Sequence, residues 1–151
     1  MSIQARYVHT NLIAKDWKTL ATFYENVLGC VPIFPKRDLS GKWLEDGTGI
    51  ENAHVEGIHM RLPGYDENGP TLEIFQYNQY IRRGITAANL QGFTHITFAV
   101  DNVAKAREEV LKAGGKAVGE VVTCEIEGTG TITWTYVTDP EGNIIELQKR
   151  S

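Results

Sequence analysis

Two apolar segments, each with a glutamate at its centre, constrain this chain more than any other feature of it. In Thr71-Leu72-Glu73-Ile74-Phe75-Gln76-Tyr77, and again in Asn143-Ile144-Ile145-Glu146-Leu147-Gln148, strand-forming residues flank a single carboxylate, and a longer side chain follows two positions later on the same face. A carboxylate in such a setting is costly to bury alone, so a cation or a set of hydrogen-bond donors is expected beside each one. His9 and His95 lie in two further strand-like runs. Two Glu and two His around one divalent ion account for all four residues together.

The segments that lead up to each glutamate follow the same order. Residues 6–13 alternate as a strand, with Tyr7, His9, Asn11 and Ile13 on one face. Asp16 is placed to cap a helix over Trp17 to Leu28, with an apolar stripe of Leu20, Phe23, Tyr24, Val27 and Leu28, and Gly29 is placed to end it. Val31 to Phe34 reads as a short strand interrupted by Pro32. Residues 36–56 read as a polar, glycine-containing flap, and Gly57 to Leu62 as a strand. A turn then leads into the Glu73 strand.

The second half runs through the same elements. The strand Gly92 to Val100 carries His95, and Asp101 or Asn102 caps a helix with Val103, Ala106, Val110 and Leu111 on its apolar face. Gly114-Gly115 stops that helix, Lys116 to Cys124 and Thr131 to Thr138 read as strands, and Asp139-Pro140-Glu141-Gly142-Asn143 turns into the Glu146 strand. This order predicts a duplicated β-α-β-β-β unit of α+β class: a first module over 6–77, a linker over 78–91 and a second module over 92–149 within one domain spanning 1–151.

Composition narrows the partners. With 19 acidic and 15 basic residues, a net charge of −4 and no basic run, neither nucleic acid nor an anionic membrane surface is an expected partner. Cys30 and Cys124 form no Cys-x-x-Cys pair and read as reduced, inert thiols. Met1 to Arg6 lacks the apolar core of a signal peptide, and no stretch approaches the length of a membrane span. The expectation is therefore a soluble, cytoplasmic protein.

A single strand histidine is more often structural than a ligand, and here the repeat carries the argument. Imidazole nitrogen with carboxylate oxygen suits Ni, Zn, Co, Mn or Fe(II), and the lack of a thiolate speaks against a closed structural zinc site. Positions left open on the ion would accept water or substrate. His54 and His59, with Glu51 and Glu56, read most simply as solvated residues in or beside the flap, the alternative being acid-base groups that close over substrate. Arg61 shares a face with His59 and could meet an anionic substrate or lie at the rim. Trp43 and Trp134 read as packing residues.

The order His9, Glu73, His95, Glu146, with Phe23-Tyr24-x-x-Val27-Leu28-Gly29, Gly92-Phe93-Thr94-His95-Ile96 and Asp139-Pro140-x-Gly142-Asn143-x-x-Glu146-Leu147, resembles the vicinal oxygen chelate superfamily. That group includes glyoxalase I, methylmalonyl-CoA epimerase, extradiol dioxygenases, fosfomycin-resistance enzymes and bleomycin-resistance proteins. The resemblance implies two βαβββ modules forming a cupped mixed sheet with helices on the outer face, commonly within a homodimer. It also implies one divalent metal on His9, Glu73, His95 and Glu146, and a small-molecule substrate with vicinal oxygens.

The activity implied is that of a metal-dependent lyase or isomerase, in which a metal-stabilised enediolate or enolate forms as Glu146, or else Glu73, moves a proton beside a carbonyl. Glyoxalase I usually carries Arg four residues after the first ligand and Asn four after the second, where this chain has Ile13 and Tyr77; the difference argues against glutathione as cosubstrate. The epimerase often has Gln where Glu73 stands. A metal-free binding protein of the bleomycin-resistance type and an Fe(II) extradiol-type dioxygenase are the alternatives, and the dioxygenase does not need a ligand at position 73.

Overall fold

The computed structural model describes residues 1–151 and contains three helices and nine strands in two mixed sheets, the α+β class expected from the sequence. The chain divides into two compact units, Met1–Ile81 and Arg82–Ser151.

The first unit runs β1 (His9–Ile13), α1 (Trp17–Leu28), β2 (Val31–Ser40), α2 (Lys42–Thr48), β3 (His54–Arg61) and β4 (Thr71–Tyr77), with sheet order β1-β4-β3-β2. β1 lies parallel to β4, and the other pairs are antiparallel. α1 starts where the sequence predicts. The Asp16 carboxylate accepts from the Thr19 hydroxyl and the Thr19 backbone N–H, and these two bonds hold its pKa below the usual value. At the other end Gly29 takes a left-handed conformation (φ 72°) and returns its N–H to the Tyr24 carbonyl. α1 packs on β3 and β4, where Ile58, Met60, Leu72 and Ile74 are buried. At about 1.5–3 kcal/mol per fully buried side chain, this layer fixes which face of β4 points away from the helix.

The segment 36–56 is not a flap. β2 continues to Ser40 through a register shift between Ile33 and Arg37, α2 follows, and β3 begins at His54. Two prolines, Pro32 and Pro35, are tolerated because β2 is the outermost strand of its sheet, where a missing N–H costs little. α2 hides from sequence inspection because only Leu44 in it is buried. Leu44 packs with Ala53, Val55, Leu39, Phe75 and Tyr77, so α2 leans on one end of the sheet face opposite α1. Trp43, expected to pack, is largely exposed.

The second unit runs β5 (His95–Ala99), α3 (Val103–Lys112), β6 (Lys116–Ala117), β7 (Val122–Ile126), β8 (Gly130–Thr138) and β9 (Ile144–Arg150). Its order is β5-β9-β8-β6, and β7 also pairs with β8. Asn102 is the cap of α3, its side chain accepting from the Lys105 N–H.

The strand expected over 116–124 is split. Residues 118–121 bulge where β8 offers only Thr135 and Tyr136, and the N–H groups of Val118 and Gly119 both turn to the Tyr136 carbonyl. Residues 78–94 hold no helix or strand, yet part of this stretch is anchored. The Arg83 guanidinium donates to Asn143 Oδ1 and the Glu141 carbonyl, and the Thr86 hydroxyl donates to the Gly142 carbonyl.

Cys30 is buried, which pushes its thiol up to about 12, and Cys124 is exposed; neither is in a disulfide. No helix is long and apolar enough to cross a membrane.

Candidate metal centre

β4 lies between β1 and β3, so the residue at its middle is flanked from both sides. Glu73 pairs in register with Asn11 on β1 and with His59 on β3. Its side chain is 13% exposed and held by three neighbours. The Asn11 amide donates to Oε1 at 2.8 Å, His59 Nε2 lies 2.8 Å from Oε2, and His9 Nε2 lies 3.5 Å from Oε1. The far nitrogen of His59, Nδ1, is 2.9 Å from the Thr71 hydroxyl. The His9 and His59 rings meet edge to face at 5.4 Å, and His59 meets Phe75 in the same way at 6.1 Å.

Burial is the largest influence on His59 and drives its pKa down. The Glu73 charge pulls it back up, the Arg37 and His9 charges push it further down, and the net result is a lowered value. At neutral pH the imidazole is therefore uncharged, the form that binds metals.

The second unit builds the same arrangement with different neighbours. Glu146 pairs in register with Thr97 on β5 and with Tyr136 on β8. Its side chain is 15% exposed; the Thr97 hydroxyl donates to Oε2 at 3.0 Å, and His95 Nε2 lies 3.2 Å from the same oxygen. Tyr136 stacks at a tilt on His95 (4.9 Å) and on Trp134 (5.0 Å). Burial, and after it the Glu146 charge, raise the pKa of the Tyr136 phenol, so its hydroxyl keeps its proton.

Of the four residues singled out in the sequence, the structure thus joins His9 to Glu73 within the first unit and His95 to Glu146 within the second. His59, read as a residue just beyond a flap, turns out to face Glu73. His54 points to the other side of β3 and pairs with exposed Asp38. Asp38, His54 and Glu56 also come within 4.8 Å of one another, but the first two are exposed and already paired. Ile13 is exposed on the His9 face of β1, and Tyr77 packs into the Leu44 cluster.

The donors fit a divalent ion. The ion-pair partners of both half-buried carboxylates are imidazoles, not lysine or arginine. Neighbouring ligands on an ion with bonds of about 2.0–2.2 Å stand roughly 3–3.5 Å apart. The separations of 2.8, 3.5 and 3.2 Å lie at or near that spacing, and one donor atom from each of His9, His59 and Glu73 falls within 4.8 Å of the other two.

Each of the two units sets an imidazole against a shielded glutamate in the middle of its own sheet. The chain belongs to the Glyoxalase/Bleomycin resistance protein/Dioxygenase superfamily, whose sequence profile matches residues 6–147. It is 29% identical over 143 residues to a lactoylglutathione lyase of Salmonella typhimurium (strain LT2), covering 94% of this chain and 90% of that protein. Among solved structures it shares its fold with a glyoxalase family protein from Bacillus cereus, at TM-score 0.74 and 22% identity over 99% of this chain and 95% of the other. The V278E mutant of glyoxalase I from Zea mays matches at TM-score 0.62 and 21% identity, over 97% of this chain and 45% of the maize chain.

Proposed function

We propose that this protein is a divalent-metal-dependent lyase or isomerase of the glyoxalase type. It moves a proton at the carbon beside a carbonyl in a small substrate with vicinal oxygens. The observation that carries this reading is the repeated pair of one half-buried glutamate and one imidazole Nε2 within 3.5 Å, found in both units. His9, Glu73, His95 and Glu146 are proposed to hold one ion, drawn from Ni, Zn, Co, Mn and Fe(II). When bound, that ion supplies positive charge to the oxygen next to the reacting carbon.

The remaining chemistry falls to the chain. Glu146 is the proposed base. It is tethered by the Thr97 hydroxyl and His95 alone, whereas Glu73 is tied by Asn11, His59 and His9. The less restrained carboxylate reorients at lower cost to reach a substrate proton. Tyr136, protonated and opposite Glu146 in register, places a donor on the same face. Glutathione adducts are not the proposed substrates, because Ile13 and Tyr77 stand where glyoxalase I carries Arg and Asn, and Tyr77 is committed to the Leu44 cluster.

The test combines metal analysis of protein purified without chelator with solvent deuterium exchange into α-hydroxy ketones, thiohemiacetals and acyl-CoA compounds. About one equivalent of metal per chain is expected, with exchange lost on chelation and restored on reloading. Less than about a tenth of an equivalent, with no gain from added Ni, Co, Mn or Zn, would favour the metal-free binding protein.

A homodimer is also proposed, since Tyr7, Phe34, Ile81 and Phe93 are all largely exposed. Light scattering should return twice the 16.8 kDa chain mass, and a single-chain mass overturns the proposal. The two unpaired thiols fit a cytoplasmic location.

A further inference from the structure

We infer that His59 is a metal ligand as well, so that the first unit alone presents two imidazoles and one carboxylate to the ion. The inference rests on the metal site proposed above and extends it by one donor. Four observations bear on it. His59 stands opposite Glu73 in the antiparallel register of β3 and β4, and its Nε2 is 2.8 Å from Oε2, the spacing of neighbouring ligands. One ring nitrogen of His59, one of His9 and a Glu73 carboxylate oxygen form a set within 4.8 Å. His59 Nδ1 is fixed by the Thr71 hydroxyl at 2.9 Å, an outer hydrogen bond of the kind that orients metal-bound imidazoles. The side chain is 18% exposed, so the ring is set in place by its surroundings and not free to sample solvent.

The second unit shows what the first would look like without this donor. At the matching position opposite Glu146 stands Tyr136, which offers no imidazole nitrogen. The duplicated fold is thus asymmetric where the third nitrogen enters. With His59 among the donors, His9, His59, Glu73 and His95 would hold the ion without Glu146, whose carboxylate would then be free to accept a proton. The competing account makes His59 a hydrogen-bond partner that only orients the Glu73 carboxylate.

Cobalt(II) loading of the intact protein separates the two accounts. In proton NMR of the Co(II) form, each ligating imidazole contributes one strongly shifted, exchangeable ring N–H signal. Three such signals are expected in the wild type, from His9, His59 and His95, and two in His59→Gln. The same substitution should weaken Co(II) binding by about a hundredfold, and Thr71→Val, which removes only the orienting hydroxyl, by about tenfold with all three signals kept.

Two signals in the wild type that both persist in His59→Gln, or unchanged affinity in a folded His59→Gln, overturn the inference and leave the proposed metal site standing. A wild type that binds no Co(II) at all removes both. If His59→Gln does not fold, the wild-type signal count and the Thr71→Val affinity decide the matter.

Discussion

Glu146→Gln is expected to slow proton exchange at the substrate carbon by about a thousandfold or more, close to 4 kcal/mol of transition-state stabilisation, with the fold intact. The substitution keeps the side chain's shape and its bond to Thr97, since the amide oxygen can still accept at the 3.0 Å position. It removes the negative charge and the lone pair that takes the proton. The matching change at Glu73 should act differently. Glu73 accepts from the Asn11 amide and faces His59 and His9, so Glu73→Gln sets an NH2 group against donors and weakens metal retention before it touches proton transfer. Metal content near one equivalent in Glu146→Gln, reduced metal in Glu73→Gln, and exchange absent only in the first once both are reloaded with metal would together assign the base. Exchange within tenfold of wild type in metal-loaded Glu146→Gln would remove Glu146 from that role.

Much of this arrangement was legible in the sequence because the signals are local. Asp16 and Gly29 bracket α1 with a cap and a left-handed stop, and the strand alternation around Glu73 and Glu146 shows which face carries the carboxylates. The failures share a cause, which is that pairing across strands decided the outcome. Two prolines and a polar run concealed a ten-residue strand, because a position at the sheet edge relaxes the demand for N–H donors. A helix with one buried residue gave no periodic signal.

His59 reads from the sequence as a solvated residue beside the flap, although the means of placing it against Glu73 are present. Folding the hairpin about Asp66 sets 59 opposite 73, and once Glu73 is chosen, that register alone nominates His59. The convergence of all four predicted ligands is a question of a different kind, since alternation within a strand says nothing about which strands meet.

Asp139→Ala is expected to destabilise the protein by about 3 kcal/mol, a fall of roughly 6–12 °C in melting temperature for a chain of this size. Asp139 is 1% exposed, and its carboxylate gathers the turn that precedes β9. Oδ1 accepts from the N–H groups of Glu141 (2.8 Å) and Asn143 (3.1 Å), and Oδ2 from the Asn143 side-chain amide (2.7 Å). Alanine strips partners from three donors at once, and a buried site offers little water to replace them.

The damage should be directional. β9 begins at Ile144, directly after this turn, and carries Glu146, so loosening the turn blurs the position of the proposed base while the β1-β4-β3-β2 sheet of the first unit is untouched. Hydrogen exchange should therefore show lost protection in β8 and β9 with β3 and β4 unchanged, and substrate turnover should fall below the transition temperature. Asp139→Asn, which keeps one oxygen for the two backbone donors but turns an NH2 toward the Asn143 amide, should lie between the two. A melting temperature within about 3 °C of wild type for Asp139→Ala would mean that Arg83 and Thr86 hold the turn without the carboxylate, through their bonds to Glu141, Gly142 and Asn143.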